Sequence, residues 1–204
     1  MCSKLTCVRC RMLGSIRTRD RPEKRDGMEL HYRAVDDASQ EDCVLLARWN
    51  NDPAIKHLFN RFPTPESHEY VFTADSFRKR ERADSTAVQG ETLFACVAGE
   101  PVGLATYEID SPKLVSPSPA TAWLALLIGT SSFRGCGLGK RMLVDLEARA
   151  ARAGVRRAEI GVFAYNTRAL EFFASRGYRE FLRLPERAFW DGRQWEEVRS
   201  EKEI

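Results

Sequence analysis

Three glycines fall within five positions in the run Leu126-Leu127-Ile128-Gly129-Thr130-Ser131-Ser132-Phe133-Arg134-Gly135-Cys136-Gly137-Leu138-Gly139-Lys140. An apolar, strand-like stretch leads into them and an amphipathic stretch leads out, so they stand where a strand turns into a helix. Glycine lets a backbone approach a ligand closely and adopt dihedrals that a Cβ forbids. The start of a helix adds free N–H groups and a partial positive charge. Together these features suit a pyrophosphate, although three glycines also serve a plain tight turn. Two nucleotide signatures fail here. The Walker pattern needs Gly where Arg134 stands and Ser or Thr where Arg141 stands, and a dinucleotide fingerprint begun at Gly135 meets Lys140 at its third glycine.

A second stretch, Glu159-Ile160-Gly161-Val162-Phe163-Ala164-Tyr165-Asn166-Thr167-Arg168-Ala169-Leu170-Glu171-Phe172-Phe173, ends at Gly177-Tyr178. It reads as a strand, an Asn suited to capping the next helix, an Ala three residues on, an apolar-aromatic pair, and a Gly before an aromatic.

Arg134-x-x-Gly137-x-Gly139 resembles the acetyl-CoA-binding motif of the GNAT superfamily of N-acetyltransferases, and the Asn166 stretch is similar to that superfamily's second signature, in the right order and across the whole of residues 28–204. The resemblance implies a fold in which a mixed, mostly antiparallel α/β sheet is flanked by helices and splays between two central strands to admit coenzyme A. It implies that backbone amides of Arg134, Gly135, Cys136, Gly137, Leu138, Gly139 and Lys140 hold the pyrophosphate. Leu127, Ile128 and Gly129 would pair with the pantetheine arm, and Asn166 would meet it. Trp49-Asn50-Asn51-Asp52-Pro53, the Ile-Gly end of the central strand and the Asp191-Gly192 hairpin are similar to the branch holding ribosomal-protein and spermidine N-acetyltransferases.

Two positions depart from the family's pattern. Phe173 stands where many members carry a proton-donating Tyr, and Leu124 aligns with a frequent Glu base. Glu108, on the alternating face of Leu104, is then the candidate catalytic base. His57 and His68 lie in the segment expected to cover the acceptor pocket, Tyr165 and Tyr178 read as structural, and Cys136 is assigned no nucleophilic role. Direct attack of a neutral amine on the thioester needs orientation above all. The acceptor stays open between a protein N-terminus, a polyamine and a small-molecule amine. A coenzyme A-binding module without turnover is the alternative reading.

The elements that position these residues follow from periodicity and punctuation. Strands are expected at Leu30–Val35, Thr92–Ala98, Val102–Ile109, Ala122–Ile128, Arg156–Ala164, Tyr178–Ala188 and Gln194–Glu201. Helices are expected at Ser39–Asn50, from Thr64-Pro65 to about Arg82, at Gly137–Ala153 and at Thr167–Arg176. Gly99-Glu100 and Asp191-Gly192 signal hairpins, Gly154 and Gly177 stop helices, and Ser111–Pro119 is a loop. No internal repeat and no linker divides residues 28–204, which form one expected domain.

Charge sets limits on partners. Residues 1–27 hold eight Lys/Arg against three acids, a net +5, which leaves 24 basic and 26 acidic residues, or −2, for the rest. A near-neutral body excludes a nucleic-acid-binding face. No apolar run is long enough for a membrane span. The basic leader is expected to be disordered, with Met28 an alternative start. Cys7-x-x-Cys10 has no second pair nearby, so no metal site is expected, and six free thiols suit a cytoplasmic chain. Homodimerisation is left open.

Overall fold

A computed structural model of the chain describes residues 29–35, 39–77, 89–115 and 118–204. Seven strands form one sheet in the order β1-β2-β3-β4-β5-β7-β6. They are β1 Leu30–Ala34, β2 Gly90–Val97, β3 Glu100–Ile109, β4 Thr121–Ile128, β5 Arg157–Phe163, β6 Arg179–Trp190 and β7 Arg193–Glu203. Every pairing is antiparallel except that of β4 with β5, which is parallel and spans only Thr121↔Arg157, Ala122↔Ala158 and Trp123↔Glu159. Beyond Trp123 the two central strands part, and from Leu124 to Ile128 the edge of β4 facing β5 has no strand partner among the described residues.

Hairpin geometry follows turn chemistry. β2 meets β3 across Ala98-Gly99, one residue earlier than the Gly99-Glu100 expectation, because Val97 pairs with Glu100. Both turn residues have positive φ, at 52° and 85°, as a two-residue hairpin loop requires. The β6–β7 turn is Asp191-Gly192, as its residue types predict.

Helices cover both faces of the central strands. α1 (Gln40–Asn51) starts with a capping box in which the Ser39 hydroxyl accepts from the Asp42 N–H and Asp42 reaches back to the Ser39 N–H. Its Cys43, Leu46, Ala47 and Trp49 are buried against Val35, Phe94 and Cys96. On the opposite face Leu138, Met142, Leu143, Leu146 and Ala150 of the long helix Leu138–Arg152 pack on Ala105, Tyr107, Leu124, Ala158 and Ile160. Each such aliphatic side chain withdrawn from water contributes about 1.5–3 kcal/mol.

The long helix expected from Thr64 to Arg82 does not form. After a short helix α2 (Lys56–Phe59), residues Glu66–Glu69 make a single 3₁₀ turn, Tyr70 to Thr73 run extended, and residues 74–77 are helical. The Asn51 side chain pins the extended part by accepting from the Phe72 N–H at 2.9 Å and donating to its carbonyl at 2.8 Å. The Lys56 ammonium takes the carbonyls of His68 and Tyr70, at 2.8 and 2.5 Å. Backbone groups that a helix would use internally are thus held by α1 and α2, and local propensity is overridden by tertiary partners. The rest of that expected helix, and the leader 1–27, lie outside the described residues.

Candidate active site

The glycine turn ends at Gly137, which caps helix α3 (Leu138–Arg152) with φ at 90°. Gly135 likewise has φ at 81°. The N–H groups of Gly135, Cys136, Gly137, Leu138 and Gly139 have no backbone acceptor among the described residues. Five consecutive free donors at the positive end of a fifteen-residue helix make a nest for an anion. Gly137 is exposed, and a Cβ there would meet nothing within 4 Å, so the outer side of the nest is open. Gly139 lies against Ile128 and Phe172, while the Leu138 side chain is in the core and Lys140 is exposed. The residues present therefore suit a pyrophosphate held mainly by backbone.

The Arg134 side chain turns back toward the sheet. Its Nε donates to the Ile128 carbonyl at 2.9 Å and its Nη2 to the Gly129 carbonyl at 2.5 Å, with Asp52 Oδ2 at 3.3 Å. It thereby fixes the end of β4 and ties it to the segment after α1. Gly129 is required here because a Cβ would overlap the Trp49 ring. Cys136 Sγ lies 3.0 Å from the Phe133 carbonyl. One cation near the nest escaped the sequence reading: Arg168 in α4 (Thr167–Ala174) comes within 3.2 Å of where a Cβ on Gly135 would sit. Its only sequence signal was its place two residues after the capping Asn166.

Asn166 Oδ1 accepts from the Ala169 N–H at 3.2 Å, which makes it the cap of α4 and orients it beside the end of β5. Phe173 is half-buried between Phe172 and Tyr178, with ring centroids 5.1 and 5.3 Å away and edge-to-face geometry. Tyr178 donates to Glu147 at 3.0 Å and Tyr165 to the His57 carbonyl at 2.6 Å. Burial raises both phenols well above their ordinary range, and for Tyr178 the Glu147 carboxylate adds to it, so both act as structural donors.

The two faces of the cleft differ. In an antiparallel pair opposed residues share a face, so Tyr107↔Leu124 belongs with α3, while Glu108↔Trp123 and Thr106↔Ala125 belong with α1. Leu124 is only 2% exposed in the α3 core. Ala125, in the middle of a central strand, is solvent-exposed, so the α1 face is open beside the gap. Glu108 lies on this face with Oε2 accepting from Ser111 Oγ at 2.6 Å and Oε1 paired to Lys113 at 2.5 Å.

A bridge crosses the wide end of the gap on this same face. Trp49 lies against Gly129 just past β4, Asp52 pairs with Arg134, and five residues later the His57 carbonyl accepts from Tyr165 beyond β5. A cavity of about 570 Å³ opens beside the bridge, lined by apolar groups such as Trp49 and Pro53 together with Arg48, Asp52, Thr130 and Ser131. The His57 ring stacks on Trp190 at 3.8 Å, and burial holds its imidazole below the ordinary value of 6.5 despite the Pro53 carbonyl. His68 Nε2 meets the Phe189 carbonyl at 2.5 Å, which ties the bridge to the β6–β7 hairpin.

A central parallel pair that splays beside a backbone anion nest is the arrangement expected of a coenzyme A-dependent acyltransferase. The profile of the acetyltransferase (GNAT) family matches residues 52–178, more than half of the chain, and the chain belongs to that family. Members use acetyl-CoA as acyl donor. Solved structures share the fold. A Salmonella typhimurium acetyltransferase solved with its cofactor acetyl-CoA is 18% identical, with a TM-score of 0.65 over 85% of this chain and 93% of that one. A ribosomal-protein-alanine N-acetyltransferase from Brucella melitensis is 21% identical, with a TM-score of 0.62 over 85% and 99%. An N-acetyltransferase from Staphylococcus aureus is 18% identical, with a TM-score of 0.63 over 86% and 98%. No curated protein matches the chain significantly in sequence. Among the described residues no group of side chains is arranged to hold a metal ion, and no helix is long and apolar enough to cross a membrane.

Proposed function

We propose that the protein transfers the acetyl group of acetyl-CoA directly to a primary amine, with the donor held from the α3–α4 side and the amine approaching over the α1 face. The observation that carries this reading is the parting of β4 from β5 after three pairs, next to five free N–H groups. The nest would hold the pyrophosphate, the stretch Leu127, Ile128 and Gly129, which β5 does not cover, would pair with the pantetheine arm through the backbone groups that Arg134 leaves open, and Asn166 and Phe173 would flank the arm. Fixing both reactants at the gap supplies much of the acceleration, because a neutral amine is already a strong nucleophile. Unpaired N–H groups on the β4 edge are suited to polarising the thioester carbonyl. The thiols of Cys96 and Cys136 are free, which suits a reducing compartment such as the cytoplasm.

The test is calorimetric titration with acetyl-CoA, followed by thiol release from acetyl-CoA across a panel of short peptides, polyamines, amino acids and arylalkylamines. Tight binding with amine-dependent thiol release is expected. Binding without release by any amine would replace the enzyme reading by that of a coenzyme A-binding module.

A further inference from the structure

We propose that Glu197 is the group that takes the proton from the acceptor amine, an inference that rests on the acetyl-transfer reading. Glu197 lies on β7 opposite Phe163, on the α1 face of the sheet. Its carboxylate leans across β5 at Gly161: a Cβ on Gly161 would overlap Glu197 Oε1 and would come within 2.7 Å of Trp123 Cη2. The space that a side chain would fill is thus taken by a carboxylate reaching toward the gap from one side and by the Trp123 ring reaching from the other. Trp123↔Glu159 is the last pair before β4 and β5 part, so this junction is the root of the cleft.

The surroundings of Glu197 suit a proton acceptor. Oε1 has Arg199 Nε at 3.4 Å and Oε2 has Arg187 Nε at 3.4 Å, both long contacts that leave lone pairs open on each oxygen. Arg199 is fixed from beneath by the Trp123 ring at 4.6 Å, and its Nη1 bonds the Lys113 carbonyl at 3.1 Å and Glu159 at 3.2 Å. Glu159 is 1% exposed and its Oε2 has no hydrogen-bond partner, while Arg199 Nε is buried without a well-directed one. Two carboxylates and two guanidiniums leave the cluster neutral, so an arriving ammonium meets no net repulsion. Glu108, on the other side of the gap, is instead engaged by Lys113 and Ser111.

In the step itself the amine nitrogen bonds to the thioester carbon, the C–S bond breaks and the thiolate leaves. The proton shed by nitrogen passes to a Glu197 oxygen and from there to solvent, while the thiolate is protonated by water.

The experiment compares wild type with Glu197→Gln and Glu197→Ala, using the best amine of the panel. It measures melting temperature, acetyl-CoA affinity, kcat and KM for the amine, and the effect of added formate on Glu197→Ala. We expect kcat to fall about 10²-fold or more in Glu197→Gln, with acetyl-CoA affinity and KM for the amine changed by less than about threefold. Formate should restore part of the turnover of Glu197→Ala. Wild-type kcat in Glu197→Gln overturns the inference, as does a loss of kcat that formate leaves unrescued or that tracks a loss of fold or of acetyl-CoA binding. If wild type acetylates no amine, the acetyl-transfer reading and this inference fall together.

Discussion

Gly137→Val separates the backbone nest from the fold that carries it. Gly137 has φ at 90°, a region where a β-branched residue is strained, so the substitution costs about 1–2 kcal/mol. A chain of this size loses about 2–4 °C of melting temperature per kcal/mol, so a fall of about 2–8 °C is expected. The side chain meets no protein atom, since a Cβ there has nothing within 4 Å, and the variant should fold. It does enter the space in front of the five free N–H groups. Hydrogen bonds to a charged group are worth about 1.5–3 kcal/mol each, and losing two of them weakens acetyl-CoA binding by about 10²–10⁴-fold. Gly139→Ala is the control. Its Cβ would make ordinary contacts at 3.4 Å with Ile128 and 3.8 Å with Phe172, inside a helical backbone, so fold and affinity should change little. Calorimetry for affinity and a thermal melt for stability decide the matter. A folded Gly137→Val protein that binds acetyl-CoA within about threefold of wild type would refute the nest.

Arg134→Met removes a guanidinium that holds two carbonyls at the end of β4 and the carboxylate of Asp52, so a loss of about 2–3 kcal/mol and a melting temperature lower by about 4–12 °C are expected. An unchanged melt would show that the end of β4 keeps its place without this brace. His57 has a folded-state value below its unfolded 6.5, so it contributes stability above that pH which is lost as pH falls through the lower folded value. Thermal melts at pH 5 and pH 7.5 should therefore differ more for wild type than for His57→Gln, and equal differences would refute the linkage.

Where sequence alone sufficed, the information was local. The glycine turn, the Asn166 cap and the Asp191-Gly192 hairpin depend on residues within one turn of one another, and each stands as its residue types require. Short apolar and β-rich runs likewise marked all seven strands, and apolar residues at every fourth position marked the long helix that packs on them. The segment after α1 was illegible because its partners are distant: Asn51 and Lys56 hold backbone groups up to 21 positions away, and no local pattern records that. Side-chain direction was equally hidden. Arg134 belongs to a phosphate-binding motif in sequence, but only the folded chain turns its guanidinium inward to Asp52, 82 positions earlier. Glu197 and Gly161 lie 36 positions apart. Strand register alone decides that the carboxylate of one fills the space vacated by the other, because a shift of one residue would send it to the opposite face.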